Sequence, residues 1–228
     1  MKVPAIIFSR MGSSRLPGKA LRHIAGEPLI KRVINRVSKV KNLSTIVVAT
    51  SNSRMDDGLT QYIQSLNIEV FRGAAHDVLN RAVSCASYLG VDKFVRINGD
   101  SPLIDPELLE KGIDMLGDPN LDLISNVFPR TYPVGMSVEI IKTDSLKKIL
   151  GLTADSCDRE HITRFFYKNP EKFRILNFES GRPDLRKVRL AVDTKEDLER
   201  INWLFKELGC LINFEMAAEK SLLWSSIE

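Results

Sequence analysis

Apolar and polar residues fall in blocks along this chain, and the spacing inside each block sets the elements. Residues 3–8 are a short, partly β-branched apolar run that predicts a buried strand. Residues 28–40 place Leu29, Ile30, Val33, Ile34 and Val37 at helical spacing, with Lys31, Arg32, Arg36 and Lys39 between them. The alternation continues with a strand at 45–50, a helix at 55–66 and a short strand at 68–71. A helix at 77–89, a fourth strand at 93–97 and a helix at 106–116 follow, the last with proline at its first position.

Strands alternating with helices of this length predict an α/β fold whose sheet is mainly parallel, with right-handed crossovers. Ligands of such sheets bind beyond the carboxyl ends of the strands. Four polar clusters fall there, at 10–19, 50–54, 72–77 and 98–102, and are expected to meet in one crevice. The second half is less regular. Strands are predicted at 121–125, 137–141, 173–178 and 190–192, and helices at 144–150, 159–167 and 195–208, with a last helix from Asn213. Thr194 before Lys195, Glu196 and Asp197 is a good helix cap followed by first-turn acids. With no linker rich in Pro, Gly or Ser, the chain is expected to be a single domain over 1–228. Residues 1–118 are its regular half and 119–228 its less regular half.

Composition narrows this little. A net charge of +4 is too weak to argue for nucleic acid, and no apolar run approaches the length of a membrane span. Residues 3–8 are too short for a signal peptide, and no membrane insertion is expected. Cys85, Cys157 and Cys210 are widely spaced, which argues against a disulfide framework or zinc site and fits a reducing cytoplasm.

The chemistry concentrates after the first strand, in Ser9-Arg10-Met11-Gly12-Ser13-Ser14-Arg15-Leu16-Pro17-Gly18-Lys19. Gly12 and Gly18 permit unusual backbone angles and close approach to a ligand, and main-chain N–H groups with Arg10, Arg15 and Lys19 would cradle phosphates. It is not a Walker A loop: five residues separate Gly12 from Gly18, and Ala20 stands where a hydroxyl should follow the lysine. A mobile basic surface loop is the plainer alternative, but it does not explain the position after a buried strand. Asp100 and Asp193 each end a predicted strand and suit Mg²⁺, which takes oxygens from one or two carboxylates plus phosphate. Taken singly, they could equally be a turn aspartate and a helix N-terminal acid.

The segments FSRMGSSRLPGKAL and VRINGDSPLIDP carry a resemblance to sugar nucleotidyltransferases, and VVATSNSRMDDGL, VFRGAAHDVLNRA, PVGMSVEI, DREHIT and LAVDTKEDL add order and spacing. Across almost the whole chain the sequence resembles the spore coat polysaccharide biosynthesis protein F group of cytidylyltransferases, related to the CMP-Kdo and CMP-sialic acid synthetases. The resemblance implies a three-layer α/β/α Rossmann-like nucleotidyltransferase fold with a mainly parallel mixed sheet. It implies transfer of CMP from CTP to a sugar acid or related sugar acceptor for surface polysaccharide biosynthesis, with Mg²⁺ and no nucleic-acid partner. It also implies that 1–118 is the nucleotide-binding half and 119–228 the acceptor half, which would supply the interface of a homodimer like that of related synthetases. By residue, Arg10, Gly12, Ser13, Arg15 and Lys19 would hold the CTP phosphates, with Ser9 and Met11 in the same nucleotide loop. Thr50, Ser51, Asp77 and Arg81 would recognise cytosine and ribose; Asp77 could equally be a helix cap. Asp100 and Asp193 match the magnesium-binding acids, and Arg15, Lys19 and Asp100 would carry the catalysis. Gly135, Ser137, Glu139, Arg159, Glu160 and His161 would face the sugar. The chain departs from the group at Asn98, where threonine is frequent, and at Ser137, where aspartate is common.

Two other readings fit parts of the sequence. A glycosyltransferase of similar fold would show an Asp-x-Asp pair after the fourth strand, where this chain has Asn98-Gly99-Asp100. A non-catalytic nucleotide-binding protein would have no need of Lys19, Asp100 and Asp193 together.

Overall fold

The computed structural model describes residues 2–209 and 212–224. Its centre is β1 (Val3–Phe8), buried because β4 (Leu43–Ser51) and β6 (Lys93–Asn98) flank it in parallel and helices cover both faces. Successive side chains of β1 serve different cores. Ala5 and Ile7 join the cluster under α1 (Leu29–Val37), α2 (Asp57–Ser65) and α4 (Pro106–Asp114), together with α8 (Lys195–Leu208) and α9 (Phe214–Ser221). Ile6 joins the opposite cluster under α3 (Val78–Tyr88), α5 (Thr143–Leu152) and α7 (Arg164–Lys168). This is the two-residue strand period made visible, and each such isoleucine contributes roughly 1.5–3 kcal/mol by leaving water.

The sheet has seven strands in the order β5-β4-β1-β6-β8-β7-β9, completed by β5 (Glu69–Gly73), β7 (Leu123–Ser125), β8 (Glu139–Lys142) and β9 (Ile175–Asn177). β8 runs antiparallel to both β6 and β7, while the other pairings in this sheet are parallel. The three-layer α/β/α architecture with a mainly parallel mixed sheet is therefore as expected. A two-residue hairpin of β2 (His23–Ile24) and β3 (Glu27–Pro28) stands apart from it.

Two expectations fail locally. The helix anticipated over 159–167 is two short ones, α6 (Ser156–Glu160) and α7. Asp155 caps the first by accepting from the Asp158 N–H, and the chain leaves helical geometry at His161, so that Ile162 and Phe166 can both turn fully inward. Residues 190–192 form no strand. Leu190 N–H donates to Val134 while Val192 N–H donates to Asp100, two separate segments that cannot make one ladder. Cys85 and Cys157 are free thiols, and Cys210 lies outside the described residues. Among the described residues, no helix is long and apolar enough to cross a membrane.

Candidate active site

The carboxyl ends of β1 and β6 open into a crevice of about 470 Å³. The loop after β1 forms one wall through Ser9, Arg10, Gly12, Ser13, Arg15 and Lys19. Phe8, Arg96 and Asn98 form the floor; Val78 and Arg81 of α3, with Glu160 and His161, form the opposite wall. Asp100 and Asp193 stand at the loop end. Gly18 takes φ of 72°, the left-handed region that glycine tolerates best, and its N–H closes the loop on Met11 O at 3.0 Å. Gly12 has no positive φ; its use is the open space above it.

Lys19 is the junction of this site. Its ammonium donates to Asp100 Oδ2 at 2.9 Å, to Asp193 Oδ1 at 3.0 Å and to the Val192 carbonyl at 2.8 Å. Arg15 and Arg189 also pair with Asp193, at 3.1 and 2.9 Å. Burial alone would raise the Asp193 carboxyl, but the Lys19 bond and charge, with Arg15 and Arg189, hold it below its ordinary value. Arg10 reaches across the crevice to Glu160 at 2.6 Å and donates to Ala75 O at 3.0 Å. Of the four strand-end clusters expected to converge, 10–19 and 98–102 line the crevice, with cations and acids already paired, whereas no residue of 50–54 or 72–77 is in its lining.

Several expected contacts are absent from the crevice lining. Thr50 and Ser51 are buried, and both hydroxyls donate to Asp56 Oδ2. The Asp77 carboxylate is occupied, one oxygen capping α3 at Asn80 N and the other accepting from Arg159 at 2.9 Å. Arg159 donates further to the carbonyls of Thr153 and Leu150, which ties α6 down. Met11 contributes its backbone N–H to Asp56. Ser137 accepts from Arg130 at 3.2 Å, and Gly135, at φ of 104°, backs onto Leu190, where a Cβ would come within 2.7 Å of its backbone. Glu139 is buried beneath Arg96, with Tyr167 donating to its Oε1 at 2.7 Å.

Two residues of consequence escaped the sequence. Asp56, 1% exposed, takes hydrogen bonds from Met11 N, Thr50 Oγ1, Ser51 N and Ser51 Oγ, and so ties the loop to the end of β4. Its signal was faint, one aspartate of the pair in Arg54-Met55-Asp56-Asp57. Arg96 was more visible: a charged residue inside the apolar strand Lys93-Phe94-Val95-Arg96-Ile97 needs a partner or a ligand.

Comparison with known proteins agrees with this geometry. The sequence profile of a family described as cytidylyltransferase matches residues 4–224. The chain is 32% identical to the spore coat polysaccharide biosynthesis protein SpsF of Bacillus subtilis, over 90% of this chain and 86% of that protein. It is 36% identical to a 3-deoxy-manno-octulosonate cytidylyltransferase of Desulfosudis oleivorans over 56% of this chain and 52% of that one. A solved cytidylyltransferase structure from Leptospira borgpetersenii superposes with a TM-score of 0.92 at 31% identity, covering 100% of this chain and 96% of that one. On the extent of these matches, the chain belongs to the cytidylyltransferase family.

Proposed function

We propose that this protein transfers CMP from CTP to a hydroxyl of a sugar-acid acceptor and releases pyrophosphate, as one catalytic unit serving surface polysaccharide synthesis in the cytoplasm. The observation that carries this is the convergence of Lys19, Asp100 and Asp193 at the mouth of the Arg10–Lys19 loop. The acceptor class is taken from the relatives named for spore coat polysaccharide and for 3-deoxy-manno-octulosonate. A homodimer built through the second half belongs to the same proposal.

The acceptor hydroxyl loses its proton as its oxygen bonds to the α-phosphorus, and the bond from that phosphorus to the bridging oxygen breaks as pyrophosphate leaves. Such chemistry is mainly positioning and charge neutralisation, so it needs no protein nucleophile. Arg10, Arg15 and Lys19, now held by acids, would turn to the phosphates, with loop N–H groups assisting. The donor set fits magnesium: two carboxylates and a carbonyl surround one nitrogen, all hard oxygens beside the phosphate loop. Among the described residues, no three His, Cys, Asp or Glu side chains form a metal cage. Asp100 and Asp193 would therefore share the ion with phosphate and water oxygens. When bound, Mg²⁺ would neutralise charge on the phosphates and orient them.

Asp100 is partly exposed at the crevice mouth, so its removal should spare the fold. Asp100→Ala is expected to abolish CTP-dependent pyrophosphate release with an unchanged circular dichroism spectrum. Retained turnover in that variant would remove Asp100 from the reaction centre.

A further inference from the structure

Among the described residues, four buried side-chain nitrogen or oxygen atoms lack a hydrogen-bond partner, and two of them, Nε of Arg81 and Nε of Arg96, belong to the crevice lining. An unsatisfied buried N–H is costly, so each marks a place where a ligand could complete the protein. Arg81 sits in the nucleotide half, where Nη1 donates to Ala74 O at 2.7 Å. Arg96 is different. It lies where β6 passes from β1 to β8, opposite Ile6 on one side and Glu139 on the other.

One Nη of Arg96 is held by Glu139, which is 2% exposed, and Glu139 is fixed in turn by Tyr167. Arg130 also stands close enough to Glu139 to feel its charge. Glu139 thus bonds Arg96 and acts on Arg130 at longer range, while Arg130 itself donates to Pro133 O and Ser137 Oγ. Arg96 and Asn98 project from the same face of β6, since side chains alternate along a strand. The Arg96 backbone therefore lies roughly 7 Å farther from the strand end than that of Asn98, and both side chains line the crevice with Asp100. A planar fork with one nitrogen braced and the others unpaired suits a carboxylate.

We infer that Arg96, braced by Glu139, binds the carboxylate of the acceptor and so selects sugar acids over neutral sugars. This rests on the acceptor class proposed above. Arg96 would touch the acceptor directly, whereas Glu139 and Tyr167 are positioning residues.

The test uses the full chain with Mg²⁺ and α,β-methylene CTP, following the arginine Nε–H signals by ¹H–¹⁵N NMR, with Arg96 assigned from Arg96→Lys. Titration with eight- and nine-carbon keto sugar acids, including 3-deoxy-manno-octulosonate, should shift the Arg96 signal in a saturable way. The C1 methyl ester of the same sugar should leave it in place. No shift with any acid of the panel, or equal shifts with acid and ester, overturns the assignment.

Kinetics supply a second readout in Arg96→Met/Glu139→Gln, which avoids leaving a buried charge alone. KM for the acid should rise about tenfold to a hundredfold, while the KM values for ester and CTP stay within about twofold. Equal losses for acid and ester would make the pair a structural brace and refute the assignment. A shifted Arg96 signal without pyrophosphate release from CTP would sink the proposed reaction and leave this inference standing. Release from CTP and the acid with an unmoved signal would do the reverse.

Discussion

The two sides of β6 handle charge in opposite ways. On the β1 side, Lys19 and Arg15 pair with Asp100 and Asp193 at the mouth of an open crevice, and one ammonium serves two acids. On the β8 side, Glu139 is sealed behind Arg96 and Tyr167. In the first arrangement Arg15 is 61% and Asp100 29% exposed, so ligand oxygens can reach both, although Lys19 between the acids is only 15% exposed. The second cannot be opened without leaving a charge stranded in low dielectric. In the proposed reaction one side would trade partners, while the other holds a guanidinium in place.

The sharpest way to break this comparison is Lys19→Met. It should lower kcat/KM for CTP by about a hundredfold to a thousandfold, while Arg15 and Arg189 keep Asp193 paired and the fold intact. Steady-state pyrophosphate release alongside thermal denaturation checks both halves of that statement.

Asp56→Ala comes next, and its effect is on stability. The change strands two buried hydroxyls and two backbone N–H groups, costing about 2–4 kcal/mol, read from urea unfolding.

Glu139→Gln should cost about 2–3 kcal/mol by the same measurement. It also carries a pH signature. Burial pushes the Glu139 carboxyl up, but the charge of Arg96 and hydroxyl bonds from Tyr167 and Thr163 outweigh it, holding the group below its ordinary 4.5. A depressed carboxyl stabilises fully above the unfolded value and loses that contribution as pH falls through the folded one. The wild type should therefore lose stability below pH 4.5 more steeply than the Gln variant.

The smallest effect is expected from Arg189→Ala, within about 0.5 kcal/mol, since its exposed bridge to Asp193 is backed by Lys19.

The same divide governs what could be read from the sequence. β1, its loop and Asp100 were legible because a buried strand running into glycines, serines and basic residues has few uses. The capping box at Thr194 and Asp197 was likewise visible as local spacing, and it is formed. Thr50 and Ser51 have inward partners that were hidden, because sequence shows a polar residue at a strand end but not which way its hydrogen bonds go. Asp77 caps α3, the alternative the sequence also offered. Asp56 takes both hydroxyls, and Arg159 the other Asp77 oxygen. The irregular stretch 190–192 was hidden for a related reason: its Leu190 and Val192 N–H groups bond to Val134 and Asp100, far back along the chain. Arg96 lay in plain view, yet its meaning required Glu139, 43 positions away.

The most direct test of the central claim is pyrophosphate release measured with each of the four NTPs, Mg²⁺ and the panel of keto sugar acids. Cytidylyl transfer through this crevice predicts release with CTP at least about a hundredfold above ATP, GTP or UTP, dependent on the acid. Equal release with UTP, or none with CTP and any acid, would contradict it.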